Sequence, residues 1–151
     1  MADHQAIQSQ IQVLDIDPDR ALFAGEIQGL VSLVFQNERP LSGLSGLLDW
    51  KFAGAISSYI RAGVITGEVG QCVYVPISRR EAIYHVFLLG AGATPAPGAR
   101  DKVPPESLRI LQKNLAGLRL EKLGISRRDL GNFSDEYLAK QLKGCNLWIV
   151  N

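Results

Sequence analysis

Glycines fall at two places where a backbone could close around a phosphate: the loop TGEVGQ, which holds Gly67 and Gly70, and the run GAGA, which holds Gly90 and Gly92. Glycine reaches positive φ at little steric cost and lets a backbone approach a ligand closely. GAGA also follows a strongly hydrophobic segment, and the carboxyl end of a strand is where ligands sit in open α/β sheets. A dinucleotide fingerprint would run GxGxxG straight into a helix, whereas here Thr94, Pro95 and Pro97 intervene. The commoner use of such glycines is a helix stop or a tight turn, so ligand loop and fold marker both stand as readings. One further side chain joins the candidate set: His85, which alternates with apolar neighbours in IYHVFLL and is either directed toward a cleft or held as a structural histidine.

Other chemistry lacks its parts. Nucleophilic catalysis needs a serine on a GxSxG elbow or a cysteine beside a base. Neither arrangement is present, and His4, the second histidine, lies in the polar terminus. Cys72 and Cys145 are far apart and outside any CxxC spacing, which fits two buried, reduced thiols better than zinc or a disulfide. Asp15, Asp17 and Asp19 alternate as DIDPD, a partial calcium-loop pattern without glycine at its sixth position. A solvated strand edge guarded by carboxylates is the favoured reading. No catalytic residue, metal site or cofactor is therefore expected, and the chain is expected not to be an enzyme.

The elements that must position these residues follow from periodicity. Ile11–Ile16 alternates as a half-exposed strand near a sheet edge, Pro18 and Asp19 make a turn, and Ala21–Ile27 forms a second short extended segment. Leu30–Phe35 (LVSLVF) has the composition of a strand buried on both faces. Apolar residues from Leu44 to Ile60 recur at helical spacing, with Ser42 as N-cap and Gly63 as the C-terminal stop. Cys72–Val75, stopped by Pro76, pairs as a hairpin with Ile83–Leu89 across the polar turn of Arg79, Arg80 and Glu81. A helix begins at Pro105, carries Leu108, Leu111 and Leu115 on one face, and stops near Gly117; Leu118–Ile125 alternates as a short strand. Ser134 caps a last helix, with Asp135 and Glu136 in its first turn, Phe133 and Leu138 at staple spacing, and Gly144 at its close. The final CNLWIV adds a strand or leaves an apolar tail that needs a partner to cover Trp148.

At 151 residues, 46% hydrophobic and 21% charged, the chain has the size and composition of one globular domain, expected to span residues 1–151. A net charge of +1 announces no acidic or anionic partner. The absence of an apolar stretch near eighteen residues and of a signal-peptide pattern predicts a cytoplasmic protein. The arginine pairs Arg79–Arg80 and Arg127–Arg128 are not interleaved with aromatic residues, so nucleic acid is not an expected partner.

From Glu38 to Gly92 the order of features resembles the N-terminal domain of the leucine aminopeptidase (cytosol aminopeptidase) family. LLDW opens a helix rich in small residues, RAGVITGEVGQ joins it to a strand, and a hydrophobic strand ends in a glycine pair. The resemblance implies a three-layer α/β/α fold with a mixed sheet, similar to the macro domain. In that family catalysis belongs to a second domain with a two-metal site in an NTDAEGR-like stretch, which this chain lacks. The resemblance thus implies an interaction or regulatory domain that self-associates or docks on a separately encoded peptidase partner. The macro-domain likeness implies an alternative: binding or hydrolysis of a nucleotide or ADP-ribose-like ligand near Gly67–Gly70 and Gly90–Gly92.

Overall fold

The computed structural model describes residues 11–94, 103–115, 122–130, 133–142 and 147–150. The elements in chain order are β1 (Ile11–Leu14), α1 (Pro18–Phe23), β2 (Gly29–Val34), α2 (Gly43–Lys51), α3 (Ala55–Arg61), β3 (Cys72–Arg79), β4 (Ala82–Gly90), α4 (Pro105–Leu115), β5 (Leu123–Ser126), α5 (Arg127–Leu130), α6 (Asp135–Gln141) and β6 (Leu147–Val150). The strands form one mixed sheet in the order β1-β6-β5-β2-β4-β3, parallel except for β3, which runs antiparallel to β4.

β2 explains the layering. All six of its residues are buried, and alternation sends Val31 and Leu33 to one face and Leu30 and Val34 to the other. The first face packs on Leu108, Leu111 and Leu115 of α4, Leu130 of α5 and Leu138 of α6. The second packs on Ala21 and Leu22 of α1, Leu48 of α2 and Ile56 of α3. Helices therefore cover both faces, the expected α/β/α arrangement with a mixed sheet. Each fully buried aliphatic side chain contributes about 1.5–3 kcal/mol. Ser32, the polar member of β2, is satisfied by the hydroxyl of Ser45 at 2.7 Å, and Ser45 in turn donates to the Leu33 carbonyl.

Several expectations change. Ala21–Ile27 is not extended: Asp17 occupies the N-cap position and Pro18 the first turn of α1, where proline loses no hydrogen bond. The DIDPD carboxylates accordingly leave the strand, which ends at Leu14, and Asp19 sits in a helical turn 3.6 Å from Lys51. The single helix expected over 44–60 is two, because Ala53 (φ 56°) and Gly54 (φ 83°) leave the helical conformation and interrupt it. Asp49 stabilises the break by accepting hydrogen bonds from the Ser57 amide at 2.8 Å and hydroxyl at 2.5 Å. β3 runs through Pro76 to Arg79, as an edge strand permits. The strand expected over 118–125 lies partly outside the described residues; its described part is β5, shifted to end at Ser126. The described part of CNLWIV, Leu147–Val150, is β6, paired on both sides by β1 and β5, so Trp148 belongs to the sheet and not to an uncovered tail. The Ser134 cap is present, accepting from the Tyr137 amide at 3.1 Å. His4, Cys145, Gly117 and Gly144 lie outside the described residues. No helix among the described residues is long and apolar enough to cross a membrane.

Candidate functional site

β2 and β4 are parallel neighbours, yet the chain leaves them toward opposite faces: β2 feeds α2, which packs with Leu30 and Val34, and β4 feeds α4, which packs with Val31 and Leu33. In open α/β sheets such a divergence marks the favoured ligand position, the crevice outside the carboxyl ends of the two strands.

The loop between α3 and β3 crosses this end. Gly67, at φ 100°, lies so close to the strand that a Cβ there would stand 2.7 Å from the Gln36 nitrogen, and a Cβ on Gly90 would collide with the Glu68 carbonyl. Glycine at these two positions is a steric necessity of backbone packed on backbone. The amides are spoken for as well. The Gly67 amide donates to the Gln71 side-chain oxygen at 2.9 Å, the Gly90 amide to the Gln71 carbonyl at 2.9 Å, and the Gly92 amide to the Gly67 carbonyl at 2.8 Å. The Gln71 oxygen also accepts from the Thr66 amide at 2.9 Å.

Around this closure stand polar groups. Asn37, just beyond β2, binds Thr94, just beyond β4, on three sides: its Oδ1 accepts from the Thr94 amide at 2.8 Å and hydroxyl at 3.0 Å, and its Nδ2 donates to the Thr94 carbonyl at 2.9 Å. Arg39 donates to the Phe35 carbonyl at 2.8 Å and the Thr66 carbonyl at 3.3 Å. Buried Ser107, in the first turn of α4, donates to the Gly90 carbonyl at 2.9 Å. The strand ends thus carry a hydrogen-bonded rim in which the side-chain amides of Asn37 and Gln71 tie them to the flanking loops.

Of the predicted site residues, Gly67, Gly90 and Gly92 come together here. Gly70 belongs to the same loop but faces Ile110 of α4, 3.9 Å from where its Cβ would be. His85 stands apart: it pairs with Gly29 and Pro76 in the sheet, five residues and roughly 16 Å down β4 from Gly90 at the usual strand rise. Its Nδ1 meets the Tyr74 hydroxyl at 2.5 Å, and the two rings stack with centroids 5.8 Å apart. Asn37, Gln71, Thr94 and Ser107 were missed by sequence reasoning. Only Gln71 carried a signal, at the end of the TGEVGQ loop. Cys72, which follows it, packs against the α4 face, and burial raises its thiol pKa from 9.0 to about 11, the mark of an inert thiol.

No protein-family profile and no curated protein sequence matches the chain. Solved structures do. The macrodomain of Thermus aquaticus DarG aligns over 93% of this chain and 97% of its own, at 13% identity and a TM-score of 0.62. The macrodomain of Mycobacterium tuberculosis DarG aligns over 93% and 96%, at 16% identity and a TM-score of 0.66. The fold is that of a macrodomain. A mutant tomato leucine aminopeptidase is also similar, at 13% identity and a TM-score of 0.63, but the 93% of this chain that aligns spans 32% of that enzyme. The aminopeptidase resemblance therefore holds as a likeness of fold. The expectation that the chain is not an enzyme is corrected by the same matches. It rested on absent nucleophile and metal patterns and on the missing peptidase metal motif, and macrodomains that align from end to end make that motif the wrong one to seek.

Proposed function

We propose that the chain binds a nucleotide or ADP-ribose-like ligand at the carboxyl ends of β2 and β4, and that hydrolysis of an ADP-ribosyl linkage is the activity to seek there. The observation that carries this reading is the divergence of the chain after β2 and β4, beside the Asn37–Thr94 clasp, in a fold shared with macrodomains. The glycines serve this site by letting the 66–71 loop lie against the strand ends, and the Asn37–Thr94 clasp fixes the backbone that borders it. Titration with ADP-ribose, followed by amide chemical shifts, tests it: shifts should concentrate at Asn37, Gly92 and Thr94. No heat, no thermal shift and no perturbed amide at millimolar ADP-ribose would dispose of it. Release of free ADP-ribose from a mono-ADP-ribosylated peptide then separates a hydrolase from a binder.

A second reading, an interaction domain that self-associates or docks on a peptidase, draws support from the likeness to part of an aminopeptidase and from apolar side chains on the surface of α2. Trp50 is 78% exposed and Leu47, one turn earlier, 39%. Light scattering and a pull-down test it; a strict monomer that captures no peptidase counts against it.

A further inference from the structure

A second concave surface lies at the other end of β4, where the β3–β4 hairpin folds back over the ends of α1 and α2. It is a cleft of about 630 Å³, within the usual range for small-molecule sites. Four cations line it: Arg20, Lys51, Arg79 and Arg80. Two carboxylates, Asp19 and Glu81, also border it. Lys51 pairs with Asp19 at 3.6 Å, so that pair is neutral and three guanidiniums face one remaining carboxylate.

The arrangement is built. Arg79 donates to the Lys51 carbonyl at 3.3 Å and lies over the Phe23 ring, 5.5 Å from its centroid, which fixes the hairpin wall to the ends of both helices. Behind it Phe23 packs edge-on against Tyr84 at 5.0 Å and tilted against Phe52 at 5.5 Å. Arg80 sits in the turn at φ 56°, a left-handed conformation that costs an L side chain about 1–2 kcal/mol. Glycine or asparagine would suit this position better, and a charged residue held in strain points from backbone to function.

We propose that this cleft binds a phosphomonoester dianion carried on a small, flat-ringed molecule. Paired guanidiniums match the geometry of phosphate oxygens, and a phosphomonoester carries about −1.5 to −2 charge at neutral pH, which balances the surplus of two cations. Phe23, whose ring has Arg79 at 5.5 Å and Lys51 at 5.8 Å from its centroid, and Tyr84 beside it line the cleft with aromatic surface for the ring. This site is separate from the crevice at Gly92, at the opposite end of the same strand.

Titration with AMP, inorganic phosphate and adenosine, each followed by amide chemical shifts, tests the proposal. AMP should perturb Arg80, Glu81 and Ala82, bind more tightly than phosphate, and weaken as salt rises, whereas adenosine should leave these amides in place. The double variant R20A/R80A replaces two exposed side chains, and AMP affinity at the hairpin should fall tenfold or more. Equal affinity in the variant, AMP shifts confined to Asn37, Gly92 and Thr94, AMP binding no tighter than phosphate, or adenosine binding as well as AMP overturns it.

Discussion

The two ends of β4 solve opposite problems. At its carboxyl end, backbone packs directly on backbone, and the polar groups shown are spent within the chain: the side chains of Gln71, Asn37 and Ser107 hold Gly67, Thr94 and Gly90, and backbone bonds join Gly90 to Gln71 and Gly92 to Gly67. At its amino end, side chains fan out from a strained turn and leave a surplus of positive charge around a cleft. Glycines, which look like the ligand-binding element in sequence, serve at the first end as spacers. Arginines, which look like a solvated turn, form the second end's recognition surface. A residue's type suggests a chemistry, but its neighbours decide whether that chemistry is spent on the fold or left for a ligand.

Breaking the closed end should give the largest effect. Gly90→Ala places a methyl group onto the Glu68 carbonyl, and because both sides are backbone neither can rotate away. Urea unfolding should show a loss of about 3 kcal/mol. Gly63→Ala is the control: its φ of 77° is strained for alanine, but nothing lies within 4 Å of the new carbon, so the cost should be only about 1 kcal/mol. Equal losses would mean that close approach is not what Gly90 provides. Next in size is Gln71→Ala, which deprives the Thr66 and Gly67 amides of their acceptor. At this partly exposed place water replaces some of the loss, so about 1–2 kcal/mol is expected. Amides of residues 66–71 should also exchange faster with solvent, while those of the hairpin tip stay unchanged.

The sequence made the doubly buried β2, the β3–β4 hairpin and the Ser134-capped helix legible because each follows from local pattern alone. Two errors share one cause. Apolar spacing continues in phase from Leu44 to Ile60, so nothing in the periodicity discloses the break at Ala53–Gly54 or the bonding of Asp49 to the first turn of the following helix. The aspartate–proline pair at Asp17–Pro18 is a helix-start signal, but strand alternation upstream outweighed it. The site was less legible than the fold. Asn37 and Thr94 are 57 residues apart, and Arg20, Lys51 and Arg80 come from three separate elements; only tertiary structure joins them. The missing NTDAEGR-like stretch belongs to the aminopeptidase resemblance, and the macrodomain matches remove it as a ground against an enzyme.

At the open end, Arg80→Gly separates stability from recognition. Glycine accepts φ 56° without strain, although it also gives the unfolded chain more freedom. The net result should be a gain of up to about 1 kcal/mol in unfolding free energy, opposite in sign to Gly90→Ala, together with weaker AMP binding at the hairpin. A destabilised variant would show that the arginine supports the turn, and that the two ends are less different than their geometry implies.

Cys72 offers the finest measure of the contrast, since it begins β3 immediately after the closed loop and pairs with Leu89 in the sheet. Burial raises its pKa from 9.0 to about 11, so at pH 8 the thiol is almost wholly protonated and alkylation in the Cys145→Ser background should be slow. The linkage has a definite sign. The unfolded chain gives up this proton near pH 9.0 and the folded chain near 11, so the folded state binds more protons between those values and stability falls across that interval. Below pH 9.0 the thiol contributes no pH dependence. Gln71→Ala should quicken alkylation at pH 8 by loosening the loop beside the thiol, and Arg80→Gly, at the far end of the same hairpin, should leave the rate alone. Equal acceleration by both variants would mean that the hairpin opens as a single unit, with the closure at Gly67 and Gly90 no firmer than the cleft at Arg80.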